Sequence, residues 1–377
     1  MTSHKAANLT AWDAAVLDSR RLVARAQKCR GYQFWDGFDH YDSSHELWDA
    51  VNGTFSYSST YARFAAPSGL LGQGMRCNTS GAAYKTKNML SNQQIVIFGF
   101  AVYLPQLGNG GLMLFKDGGS VQADLSITSA GQFAIYRGNG ATLQATSGPG
   151  AISVGWHWLD IEIDIHSSVG SITIYVDQPA GSVAAAFNAT GLNLQTSGNN
   201  YMNSFQLGDL NNVFGGLQLD DFHCIDTSPT APNTILGDSR IYTKVGSGAG
   251  YTTNWTPNGA AANWQCVDDA IPDDDTTYVS SSTATQLDAY APPSAGLTIA
   301  PNGLVRRSRI RKDDASAHTF QNGIRSSGTN SYGNAVAVPS SYGWTDCGTC
   351  NVVDPSTGLN FTAAGADAVQ LVINEAS

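Results

Sequence analysis

The sequence predicts an all-β protein: a jelly-roll β-sandwich, then a second, smaller β-sandwich, with a short helical arm in front. Three observations lead there. The first is the stretch Trp156–Asp177, where Leu159, Ile161, Ile163 and Ile165 alternate with Asp160, Glu162 and Asp164, and Ile172, Ile174 and Val176 alternate with Ser171, Thr173 and Tyr175. Successive side chains of a strand point to opposite faces, so this is a hairpin with one apolar and one polar face, turned at Ser167–Gly170. The second is composition. Hydrophobic residues make up 42% of the 377, enough for a core, but charged residues only 13%, and there are 40 glycines. Few charges and many turn formers suit sheets better than helices. The third is the recurrence of strand signals at short intervals with Gly-rich turns between them, the rhythm of a sandwich or jelly roll.

Taken in order, residues 1–30 come first. Thr10 can cap a helix over 8–30, with Asp13 three residues on, and Trp12, Val16 and Val23 lie roughly on one side. Six basic and two acidic residues give this segment a net +4, against −10 for the whole chain. It reads either as a helix packed on the sandwich edge or as an arm docking through Trp12, Arg20, Arg21 and Arg25 onto an acidic partner. Strand signals then run through 31–41, 94–104, 112–117, 123–128, 132–138, the hairpin, 203–210 and 216–226. Ser228–Asn233, with two prolines in a polar run, is a linker, because proline cannot continue a ladder. The predicted division is therefore 1–30, 31–230 and 231–377. Weaker strand signals follow at 240–245, 276–281, 304–310, 334–339 and 368–373; Gly246–Gly250 reads as a loop.

Several functions are disfavoured. A net charge of −10 argues against nucleic acid, whose phosphates need a basic surface. No segment approaches the length of a membrane span. The first residues, MTSHKAANLTAWDAAVLDSRR, lack the apolar core of a signal peptide, so the expectation is folding in a cytosol without export. The nucleophile-elbow, phosphate-loop and HExxH zinc motifs are missing. Six cysteines are too sparse for a disulfide framework, and Cys347-Gly348-Thr349-Cys350 lacks the second ligand pair of a zinc site, so it reads as a turn carrying two thiols.

The lead-in FWDGFDHY, the block WHWLDIEIDI with its return GSITIYVD, and the closing LDDFH resemble the concanavalin A-like lectin/glucanase (laminin G-like) jelly roll over about residues 31–230. Residues 254–281, with DDDTTYVSS, and 352–373, with DPSTGLNFT, resemble segments of tailed-bacteriophage virion structural proteins. The resemblance implies a virion component assembled in the host cytoplasm.

Four groups of residues are candidate sites. Asp160, Glu162 and Asp164 share a strand face as catalytic carboxylates do in glucanases of the resembling fold. Here the order is D-x-E-x-D instead of E-x-D-x-E, which removes both family glutamates, so no catalytic set is predicted. Trp156, Trp158 and Tyr175 could form an aromatic platform for a glycan, or lie covered by a loop, a neighbouring subunit or the second domain. Calcium is the one cofactor considered: Asp273, Asp274 and Asp275 form an acidic block, and Asp220 and Asp221 sit where laminin G-like relatives sometimes hold that ion. Finally, Arg307, Arg309 and Arg311 alternate as a basic stripe, with Asp313–Asp314 placed for local pairing. The expected function is a structural component of a phage particle, contacting other virion proteins of capsid or tail and self-associating, with a trimer expected. A module binding host glycans is the alternative, and a glycoside hydrolase the third reading.

Overall fold

The computed structural model describes residues 31–376 except 45, 69, 180–183, 228–232 and 348–349. The predicted arm, with Trp12, Arg20, Arg21 and Arg25, lies outside the described residues, as does most of the predicted linker. Among the described residues between 32 and 226 there are fifteen strands: β1 Tyr32–Asp36, β2 Ala50–Asn52, β3 Phe55–Ser58, β4 Gly74–Cys77, β5 Ala83–Gln93, β6 Ile95–Leu104, β7 Gly110–Asp117, β8 Ser120–Ile127, β9 Phe133–Arg137, β10 Thr142–Thr146, β11 Gly155–Asp164, β12 Gly170–Val176, β13 Phe187–Leu192, β14 Met202–Asp209 and β15 Gln218–Asp226. They form two antiparallel sheets. One has the order β13-β12-β11-β6-β15-β4-β3, with β1 also pairing β15; the other runs β10-β9-β8-β7-β14-β5-β2. Strands from the whole segment interleave between the two, as a jelly roll requires.

The hairpin forms as its alternation predicts. Leu159, Ile161 and Ile163 of β11 lie opposite Phe100, Phe98 and Val96 of β6, and all six are buried on the inner face. Phe115 and Phe205 of the facing sheet pack on Phe98, with ring centroids 5.6 and 5.1 Å away. Each such side chain contributes roughly 1.5–3 kcal/mol of burial. A one-residue slip would turn the whole row to the outer face, so the core fixes the register. The strand β5 was not legible, because AYKTKNMLSNQ looks like a polar loop. Lys85 within it is fully buried, bound to Glu46 and Tyr57 and surrounded by the rings of Tyr41, Phe55 and Tyr57. Strand β1 is shorter than the signal over 31–41, since the chain turns at Phe38 (φ 58°).

Beyond residue 240 the strand signals hold less well. A third sheet combines β16 Gly248–Thr253, β19 Leu287–Ala291, β27 Gln370–Glu375, β22 Thr319–Ser326 and β23 Thr329–Tyr332, with β24 Val336–Ala337 on β22. Three two-stranded pairs join β17 Thr256–Asn258 to β18 Tyr278–Ser280, β20 Leu304–Val305 to β26 Cys350–Asn351, and β21 Ser308–Ile310 to β25 Gly343–Thr345. Residues 248–250, read as loop, belong to β16, whereas 240–245 makes only one bridge, Thr243 to Leu71. The buried apolar cluster here is small, Ile324, Phe361, Ala366 and Val369, beside a cavity of about 560 Å³ that Trp255, Phe320, Leu304 and Leu371 help to line.

The basic stripe does not form one strand. It breaks at Arg306 and Arg307, and Arg307 donates to the Trp35 carbonyl while the Tyr32 hydroxyl donates to Asp346 at 2.9 Å. Tyr32 and Cys350 form a small shared core with Trp35, Val305 and Val352, so this region packs directly on β1. Arg309 and Arg311 pair with Asp274 and Asp275, not with Asp313–Asp314. Cys347 is a free, buried thiol and Cys350 is disulfide-bonded, so the CxxC does not close on itself.

Candidate functional site

The outer face of the sheet holding β11 carries the candidate residues. Side chains facing outward from neighbouring strands form rows across it, and the rows have different fates. In the middle row the register sets Tyr175, Asp160, Gly99, His223 and Trp35 side by side. The next row along contains Trp158, Ala101 and Asp220. Both rows are largely sealed. Asp221 accepts the Ile241 backbone N–H (2.7 Å), Asp220 accepts that of Arg63 (2.8 Å), and Arg63 forms an ion pair with Asp238, its guanidinium stacking over Trp158 and Phe64. Residues 238–243 and Arg63 thus cover what would otherwise be an open polar face.

Trp158 is therefore no sugar platform: it is 0% exposed, and its indole N–H donates to Asp160 at 2.8 Å. Its parity with the carboxylates points it outward, but the cover buries it. Asp160 is equally inaccessible, and burial raises its carboxyl from 3.8 to about 7. His223 lies flat on Gly99, where a Cβ would fall 2.1 Å from its ring; burial lowers its imidazole to about 3. Glu162 stays half-buried on the same strand, and Asp164 accepts from Gln94. A retaining glycosidase needs two carboxyls flanking one accessible bond, and a sealed Asp160 cannot serve as one of them. Tyr175 is half-buried beside Asp160, away from the open row described below.

The calcium expectation does not fit. Among the described residues no group of three or more His, Cys, Asp or Glu is placed to hold a metal ion. Asp273 bonds to Thr277, while Asp274 and Asp275 serve Arg309 and Arg311. Asp220 and Asp221 border a void of only about 10 Å³ that Arg240 also lines, and a guanidinium there opposes a divalent cation that needs six to eight oxygens. Burial, then their mutual repulsion, raises the carboxyl of Asp220.

The row on the other side of Trp158 stays open. Trp156 (β11), Tyr103 (β6), Gln218 (β15) and Arg76 (β4) stand opposite one another in unbroken register, each half-buried. Three inter-strand steps of about 4.8 Å make the row about 14 Å long. The Trp156 and Tyr103 rings pack at 5.5 Å. Arg76 lies over Tyr61 and against Gly216 (φ +98°), where a Cβ would come within 2.8 Å of the guanidinium. No carboxylate among the described residues pairs with Arg76, and its Nε is buried without a partner. Sequence reading found Trp156 but not the other three, which come from separate strands and share no motif.

No family model matches the chain, and no curated protein matches it. Among solved structures it overlaps the carbohydrate binding module CBM66 from Bacillus subtilis, at 14% identity and a TM-score of 0.30, over 49% of this chain and 99% of that one. It also overlaps the CBM2 module of the Lactobacillus casei BL23 phage J-1 evolved Dit (13%, 0.32, 52% and 96%) and the Bacillus licheniformis β-glucanase (12%, 0.29, 52% and 98%). The all-β jelly-roll assignment rests on the sheet order given above.

Proposed function

We propose that this chain is a glycan-binding β-sandwich displayed on a bacteriophage particle, binding the glycan without cleaving its glycosidic bonds. The observation that carries the binding half is the open row Trp156–Tyr103–Gln218–Arg76. Aromatic faces stack on the apolar face of a sugar ring, an amide both donates and accepts, and a guanidinium binds a carboxylate with two parallel hydrogen bonds. An unpaired Arg76 at the end of the row favours an oligosaccharide bearing an acidic sugar. Titration calorimetry against neutral and uronic-acid-containing oligosaccharides tests this. Trp156→Ala should weaken binding at least about tenfold, the effect of losing roughly 1.4 kcal/mol of stacking. Arg76→Gln should remove the preference for acidic sugars. Equal affinity of wild type and Trp156→Ala for every ligand would overturn the reading.

The particle half rests on the resemblance of 254–281 and 352–373 to virion proteins. A purely structural, decorating role as a homotrimer is the second reading, and it rests on the same resemblance to virion proteins. Copurification with intact particles supports display. A chain absent from particles and monomeric in solution refutes both particle-based readings.

A further inference from the structure

At the rim of the same sandwich, where the loop before β11 enters the strand, Ser153, His157 and Asp177 form an open hydrogen-bonded relay. Ser153 Oγ lies 3.0 Å from His157 Nε2, and His157 Nδ1 lies 2.7 Å from Asp177 Oδ2. The carboxylate is fixed independently. Its other oxygen accepts the Trp158 backbone N–H (2.8 Å), and its own N–H donates to the Trp158 carbonyl (2.9 Å), clamping Asp177 onto β11 in a left-handed conformation (φ 53°). An ionised carboxylate only accepts, so it holds the proton of a neutral imidazole on Nδ1. Nε2 is then bare and faces the serine hydroxyl, whose other acceptor, the Val154 carbonyl, is farther at 3.3 Å. Ser153 and Val154 are exposed, and the space beside Gly155 is open to 4 Å around where a Cβ would stand. Nucleophile, base and orienting acid thus occur in the order and with the atom pairing that acyl transfer needs, and such a triad is recognised by geometry, not chain position.

We propose that Ser153 is an activated nucleophile that hydrolyses carboxylic esters with a small acyl group. Ser153 Oγ bonds to the acyl carbon while its proton passes to His157 Nε2. The tetrahedral intermediate collapses with cleavage of the carbon–alkoxy bond, and His157 returns the proton to the departing alcohol. Water repeats the sequence on the acyl-serine and releases the acid, so no co-reactant beyond water is required. The open rim provides no enclosed slot for a long chain, and water surrounds the developing oxyanion, so turnover is slow compared with an enclosed site.

The test uses the full chain with p-nitrophenyl acetate and, separately, a fluorophosphonate probe followed by peptide mass mapping. The expected result is a single phosphonate adduct on Ser153. Ester hydrolysis should fall by roughly a hundredfold in Ser153→Ala, the lower end of what a positioned base contributes. Asp177→Asn keeps the acceptor for the Trp158 N–H but no longer fixes the tautomer, so it should slow adduct formation while glycan affinity stays unchanged. All three side chains lie at the surface or half-buried, so unfolding is not expected; unchanged circular dichroism confirms it. Absence of an adduct on Ser153, or hydrolysis unaltered in Ser153→Ala, refutes the proposal. Neither result bears on the Trp156–Arg76 row, whose readout is calorimetric.

Discussion

The stability of Asp160→Asn relative to the wild type should rise with pH. Asp160 is buried, one oxygen accepting from Trp158 Nε1 and the other without a partner. Its carboxyl titrates at about 7 in the fold against 3.8 when unfolded, and burial is the leading cause. The folded state therefore holds this proton more tightly than the unfolded chain does. The associated stability is fully present below about pH 4 and is lost as pH climbs through 7. At 1.36 kcal/mol per pH unit, about 2.7 kcal/mol should disappear between pH 5 and pH 8, since the loss ends near 7. Asparagine keeps an oxygen for the Trp158 indole and carries no charge. It adds an unpartnered amide N–H, a cost of about 1–3 kcal/mol that does not vary with pH. Urea denaturation of both proteins at pH 5, 6, 7 and 8 measures the difference. The variant's advantage should grow by about 2–3 kcal/mol across that range. A difference that is flat with pH would falsify the view that the cover over this face desolvates Asp160.

Two further substitutions test the packing around that face and the far side of the sandwich. Gly99→Ala places a methyl 2.1 Å from the His223 ring and should cost about 2–3 kcal/mol by overpacking, most of it recovered in Gly99→Ala/His223→Ala; equal losses in the single and double variants would contradict this. Lys85→Met strands Glu46 beside buried aromatics and should cost about 3–4 kcal/mol, with Glu46→Gln restoring part of it; a neutral Lys85→Met would show that the ion pair forms no part of the folded state.

The hairpin, the all-β class and most strands of the sandwich were legible from residues 94–226 alone, because a period of two with aliphatics on one side has a single way to be buried. Strands whose buried positions are polar were not. Lys85 in β5 sits inside because Glu46 and Tyr57 bind its ammonium, and Asn322 in β22 is held there by its amide N–H groups, which donate to Ser308 Oγ and the Thr345 carbonyl. Alternation likewise put Trp156, Trp158 and Asp160 on one outer face, but it could not tell which of them would stay in contact with water. That choice was made by Arg63 and by residues 238–243, which lie far apart in sequence and converge on the middle of the sheet. The same dependence on long-range placement hid Tyr103, Gln218 and Arg76, brought beside Trp156 only by strand order, and the Ser153–His157–Asp177 relay, joined across a hairpin. Local side-chain pattern specifies which face a residue takes. Exposure and neighbours follow from which distant segment comes to lie upon that face, and only the folded chain supplies them.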